Sequence, residues 1–235
     1  MTIGERTFER RFYPGVSVGF ALLVFYTFAR TYYLREFFQA SSLPLLLEIH
    51  GLVMSGWVAL MVVQTGLIAV RRVRWHRRLG WIGAGWAALV VLMGSTTTIH
   101  AAAREVRAHS PMAGPQLMIM GLELVQMTLF AGLVIAAVWF RRRRLDVHKR
   151  LMLLTIPCML PSAVARIPLS FITNADILIS LYAVVIGCVA VDTIRHRRLH
   201  PAFGWGAGAV LGALHLTYVA AQSPAWIRLG RALVS

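Results

Sequence analysis

Seven long apolar runs divide the chain, and a short polar or basic stretch separates each from the next. They cover 16–33, 43–70, 79–103, 117–140, 150–171, 177–194 and 203–221. A helix needs about 20 apolar residues to cross the hydrocarbon core of a bilayer, and each run is close to that length or longer. The pattern predicts an all-α fold: one membrane domain over 1–235, built as a bundle of about seven transmembrane helices. The first run ends among Tyr26, Phe28, Tyr32, Tyr33, Phe37 and Phe38, the kind of aromatic belt found where a helix leaves the bilayer. No small-residue cleavage site follows that run, so it reads as a retained helix and not as a removed signal. The last run carries Gly204, Gly208 and Gly212 at four-residue spacing, a small-residue face suited to close helix contact and to a homo-oligomer through helix 203–221. Beyond it, 223–235 reads as a short interfacial helix.

Composition agrees with the pattern. The chain is 58% hydrophobic and 14% charged, with a mean hydropathy of +0.67, far from an average soluble domain. A formal charge of +15 raises the question of nucleic acid. The arginines fall in short clusters between apolar runs, however, which suits a lipid bilayer with anionic headgroups and argues against a nucleic-acid partner. Two cysteines, Cys158 and Cys188, both lie inside apolar runs and imply no disulfide framework.

The basic residues set an orientation. With the N-terminus inside, the inner segments gather Arg6, Arg10, Arg11, the arginines of RRVRWHRR (71–78), Arg141 to Arg144, Lys149, Arg150, Arg195, Arg197 and Arg198. The outer segments hold only Arg30, Arg35, Arg104, Arg107, Arg228 and Arg231. The asymmetry predicts a multi-pass protein of the cell inner (cytoplasmic) membrane, N-terminus inside and C-terminus outside.

Polar residues inside the runs are the candidate chemistry. If 71–78 is the turn between runs two and three, His50 and His100 both lie about 30 Å above the inner face, at a rise of about 1.5 Å per residue. Glu123 and Arg166 share a level slightly lower, at about 25 Å. Ionisable residues at such depths are costly and are functional candidates by default. An outer-half cluster of His50, His100, Glu123 and Arg166 is expected, with Thr97 and Gln126 a turn away. Its plain reading is an ion pair of Glu123 with Arg166 that locks helices together. His76 and His148 would form a second, inner two-histidine level. His196 and His200 read as solvated loop residues, His215 as a packed histidine, and the cysteines as small core residues.

Three strings carry a resemblance: HGLVMSGW (50–57), HRRLGW (76–81), and HKRLM (148–152) running on to AVARI (163–167). They resemble a group of uncharacterised bacterial multi-helix membrane proteins with an H…HRxLG…HxRxM layout. More distantly, the layout is similar to cytochrome b561-type proteins, in which histidines on transmembrane helices hold two b haems near opposite membrane faces. That similarity implies His50, His76 and His148 as haem-binding positions, while His100 enters through its depth alone. The chain departs from the b561 pattern at the outer end of the fourth run, which has Met120 and no histidine.

Three classes of function remain open. The first is a b-type haem electron carrier or reductase using His50, His100, His76 and His148, with Arg166 neutralising a haem propionate. A second is a metal-dependent membrane hydrolase, with zinc or another divalent ion on His50, His100 and Glu123. The third is a cofactor-free assembly factor or small transporter whose polar cluster is structural. No phosphate-cradling glycine loop, serine nucleophile elbow or iron–sulfur cysteine pattern occurs.

Overall fold

Apolar runs become helices here wherever proline does not interrupt them. The computed structural model describes residues 3–167 and 173–235, with side chains from Thr7 onward except those of residues 174 and 175. Nine α-helices are found among the described residues: α1 Ile3–Phe28, α2 Leu45–Ala69, α3 Val73–Arg107, α4 Ala113–Phe140, α5 Leu145–Leu154, α6 Leu160–Val164, α7 Asn174–His196, α8 Pro201–Ala221 and α9 Pro224–Val234. A π-helical turn, Ala29–Tyr33, extends α1. Six of these helices, α1 to α4, α7 and α8, are long and apolar enough to cross a membrane.

Two departures from the sequence pattern matter. The basic stretch 71–78 is not a loop. The chain reverses over residues 70–72, with Arg71 at a positive φ of 64°, and α3 is already helical from Val73. Arginine and leucine side chains favour helix as much as most residues do, so the basic string simply starts the helix. That gives α3 35 residues, about 52 Å at 1.5 Å per residue and longer than a bilayer core.

The fifth run differs in the opposite sense. It is not one continuous helix but α5, an irregular stretch and α6. Pro157 and Pro161 lack an N–H and clash with the preceding turn. The backbone there falls into shorter-range bonds, Thr155 N to Met152 O (3.2 Å) and Ile156 N to Leu153 O (3.2 Å). Residues 168–171 of that run, and the side chain of Arg6, lie outside the described residues. The irregular stretch is deeply buried: Thr155, Ile156 and Cys158 are all 3% exposed or less. Non-helical backbone shielded from water needs protein around it, and here protein surrounds it.

Packing joins α2, α3 and α4 side by side, with α8 across α4 and α5. Trp57 and Phe130 meet edge to face, 4.9 Å between centroids, at the centre of the core. Glycines admit large neighbours where helices come closest. The Trp86 ring lies over Gly56 and donates to Val53 O (2.9 Å); the Trp226 ring lies over Gly121 and donates to Leu117 O (2.8 Å). Through Trp226, α9 is docked on the end of the bundle formed by α3 and α4. Gly204, Gly208 and Gly212 do not serve such a contact within the chain. They are exposed, and the glycine of α8 that does pack is Gly206, against Leu154 and Leu151.

The helices have two distinct ends. One, the arginine-rich end, collects the start of α1, residues 70–72, residues 141–146 and residues 195–201. The opposite end collects the π-turn, the starts of α2 and α4, and α9.

Candidate functional site

At the arginine-rich end the structure brings His76 and His148 together. His76 stands in the first turns of α3 and His148 in the first turn of α5, because both helices start earlier than their apolar runs do. Their rings are 6.4 Å apart between centroids, with planes 75° apart. Each is tied on its Nδ1 side. His148 Nδ1–H donates to Ala137 O (2.8 Å), which leaves its Nε2 as a lone pair. Gln64, reaching from α2, donates to His76 Nδ1 (2.5 Å) and accepts from Gly80 N (3.0 Å) in the amide orientation that satisfies both its ends. Burial, with Arg141 adding to it, pulls the His148 imidazole below its ordinary value, despite the opposing bond to Ala137.

At the opposite end His50 does not face His100. Its Nδ1 lies 3.3 Å from Thr97 Oγ1, and His100, one turn further along α3, is exposed. The early start of α3 explains the offset. Taking 71–78 as a loop moves the residue expected beside His50 from Thr97 to His100, about one turn along α3.

Glu123 and Arg166 form no direct ion pair. Arg166 donates to Ser162 O (2.8 Å), and Ser162 Oγ donates to Glu123 Oε1 (3.5 Å); Ser162 stands between them. Arg166 lies over the Phe28 ring at 4.8 Å. Thr98, 2% exposed, has a hydroxyl with no partner of hydrogen-bond geometry. His215, expected as a packed histidine, is exposed and shares a hydrogen bond with Tyr182 OH (2.7 Å). Among the described residues, no three or more of His, Cys, Asp and Glu come together as metal ligands.

A second feature of the arginine-rich end escaped the sequence reading. Arg150 and Asp192, each with a side chain 3% exposed, form a bidentate pair: Nε to Oδ2 at 2.9 Å and Nη2 to Oδ1 at 2.8 Å. His196 Nδ1–H donates to Asp192 O (2.8 Å), and its ring approaches Glu9, which pairs with Lys149. His200 is not a solvated loop residue. It is 8% exposed; its Nδ1 accepts from Ala202 N (3.2 Å) as the cap of α8, and its Nε2–H donates to Asp146 Oδ2 (2.8 Å). Burial works against ionisation of Asp146, but Arg144 and His200 outweigh it and hold the carboxyl well below its usual range. The signal was present: Asp192 is the one acid between Ile177 and Ile194, and an acid inside an apolar run asks for a partner.

Comparison with known proteins finds no match to this chain among family models, curated proteins or solved structures.

Proposed function

We propose that this chain is a membrane-embedded electron carrier that holds a b-type haem at its arginine-rich end, between His76 and His148. The observation that carries the reading is the meeting of these two rings at 6.4 Å. A bis-histidine centre would need two imidazoles from different helices near one another, and His76 of α3 and His148 of α5 are such a pair. A second support is the His148 Nδ1–H bond to Ala137 O, the arrangement that fixes ring orientation in a ligating histidine and presents Nε2. A ligated His76 would carry its proton on Nδ1, so the Gln64 amide would turn its oxygen to accept it. Bound there, the haem would supply a one-electron redox couple. The outer pair fits such a group less well, since His50 is engaged by Thr97 and His100 points away from the bundle.

The same reading makes the arginine-rich end cytoplasmic and counts the 150–171 run as a seventh, broken crossing. In its favour, Arg150 meets α7 and α8 at one end of the bundle, while Ser162 and Arg166 meet α4 and α1 at the other. Reporter fusions after residues 75, 145 and 197 should read as cytoplasmic, and after 40, 110 and 174 as exported; an exported signal at 145 reverses the topology.

The decisive experiment is the absorption spectrum of detergent-purified protein from cells supplied with haem. The expected result is a Soret band and a reduced-minus-oxidised α-band that His76→Ala and His148→Ala each abolish, while His50→Ala and His100→Ala retain them. A folded, colourless wild-type protein would overturn the proposal. So would bands that survive His76→Ala and disappear in His50→Ala.

A further inference from the structure

The opposite end of the bundle holds a cavity of about 370 Å³ between the end of α1 and the segment after α6. That volume lies within the range of small-molecule sites. Its wall carries two guanidinium groups, Arg30 and Arg166, with the Thr31 hydroxyl and the rings of Tyr26 and Phe38.

Arg30 and Thr31 reach this wall because the helix widens into the π-helical turn Ala29–Tyr33 just there. Such widenings, which add a residue to the turn, recur at functional sites. Each guanidinium lies over an aromatic ring, Arg30 over Phe38 at 5.2 Å and Arg166 over Phe28 at 4.8 Å. Such a ring contact leaves the N–H edge to donate. Arg166 spends one donor on Ser162 O; Arg30 makes no hydrogen bond or ion pair among the described residues. The acid nearest Arg166 is Glu123, and it stands behind Ser162 and outside the cavity lining. The neighbouring Arg35 is already engaged, 2.8 Å from Glu48. Among the described residues, the cavity lining therefore carries two positive charges and no carboxylate.

We propose that this cavity binds a phosphate-class oxyanion between the guanidinium edges of Arg30 and Arg166, with Thr31 as a further donor. A carboxylate is saturated by one bidentate fork, whereas a phosphate has oxygens enough to occupy two. The aromatic rim and the position at the end of α1 suit a phosphodiester attached to an acyl chain, and a free phosphate has the same recognition chemistry. The site is independent of any haem at the other end.

The test uses the whole chain in neutral detergent. Thermal unfolding, read from tryptophan fluorescence, is followed during titration with phosphatidylglycerol in mixed micelles, with phosphatidylcholine, and separately with inorganic phosphate. Wild type should be stabilised in a saturable way by an anionic titrant and not by phosphatidylcholine. Arg30→Gln and Arg166→Gln should each weaken that response at least about tenfold, while Arg228→Gln, on α9 at the same end, leaves it unchanged. A response to phosphatidylglycerol alone identifies a lipid headgroup as the ligand, and a response to inorganic phosphate identifies a free anion. If Arg166→Gln fails to fold, the exposed Arg30→Gln decides alone. No saturable response in wild type, or an equal loss in Arg228→Gln, overturns the proposal.

Discussion

Two charged clusters, one at each end of this bundle, are built in different ways. At the arginine-rich end each acid is engaged: Glu9 on α1 by Lys149 and Asp192 on α7 by Arg150, both from α5, and Asp146 on α5 by the adjacent Arg144 and by His200 Nε2–H. At the opposite end Arg30 and Arg166 line a cavity with no acid among its described lining residues. A paired and hydrogen-bonded charge can be buried without changing state, and Arg150 with Asp192 is nearly inaccessible. An unpaired charge in a low-dielectric setting must keep access to solvent or to a ligand, and Arg30 and Arg166 are both exposed. The difference separates charges that hold the helices together from charges left free to bind.

The largest test of that contrast is at the buried pair. Asp192→Leu or Arg150→Met should each cost about 3–5 kcal/mol, because one uncompensated charge or donor set remains. The double variant Arg150→Met with Asp192→Leu should recover most of the loss. Thermal unfolding of the three proteins in one detergent measures this, and strictly additive losses would show that the pair is not coupled.

A smaller effect is expected from Glu123 and Arg166. With Ser162 between them, a double-mutant cycle of Glu123→Gln and Arg166→Gln should give a coupling of no more than about 1 kcal/mol. A coupling as large as that of Arg150 with Asp192 would mean that the two ends are built alike.

The smallest effect concerns His200. His200→Ala removes the cap of α8, which should cost about 1 kcal/mol, and also a donor to Asp146. Because the folded protein holds the Asp146 carboxyl below its ordinary value, its contribution is fully present above about pH 4. It fades as the pH falls through the lowered folded value. Followed from pH 7 down through that lowered value, His200→Ala should therefore lose less stability than wild type does. Equal losses would show that His200 does not act on Asp146.

Much of this architecture was legible in the sequence. The length of the apolar runs demanded helices, since a backbone crossing hydrocarbon must satisfy its own hydrogen bonds. The run after Phe203 and the docked α9 were likewise readable from apolar length and from Ser223-Pro224, a cap followed by the residue suited to the first helical turn. His76 and His148 stood out through short basic-flanked strings, and the structure brings them together. The pairing of His50 with His100 failed for a specific reason: a basic string looks like a loop, and reading 71–78 so moves every depth along α3. Arg150 with Asp192 and His200 with Asp146 were missed because each joins residues far apart in the chain, 42 and 54 positions respectively.

Sequence alone determined that the chain is a helical membrane protein, because apolar length and the energetics of an unpaired backbone leave no other arrangement. It did not determine how the fifth run is built: that run reads as one helix, whereas Pro157 and Pro161 break it and Pro14 leaves α1 continuous. Only the tertiary structure decided which polar side chains meet. That choice depends on how far one helix slides along another, and a slip of one turn, about 5.4 Å, exchanges one partner for the next.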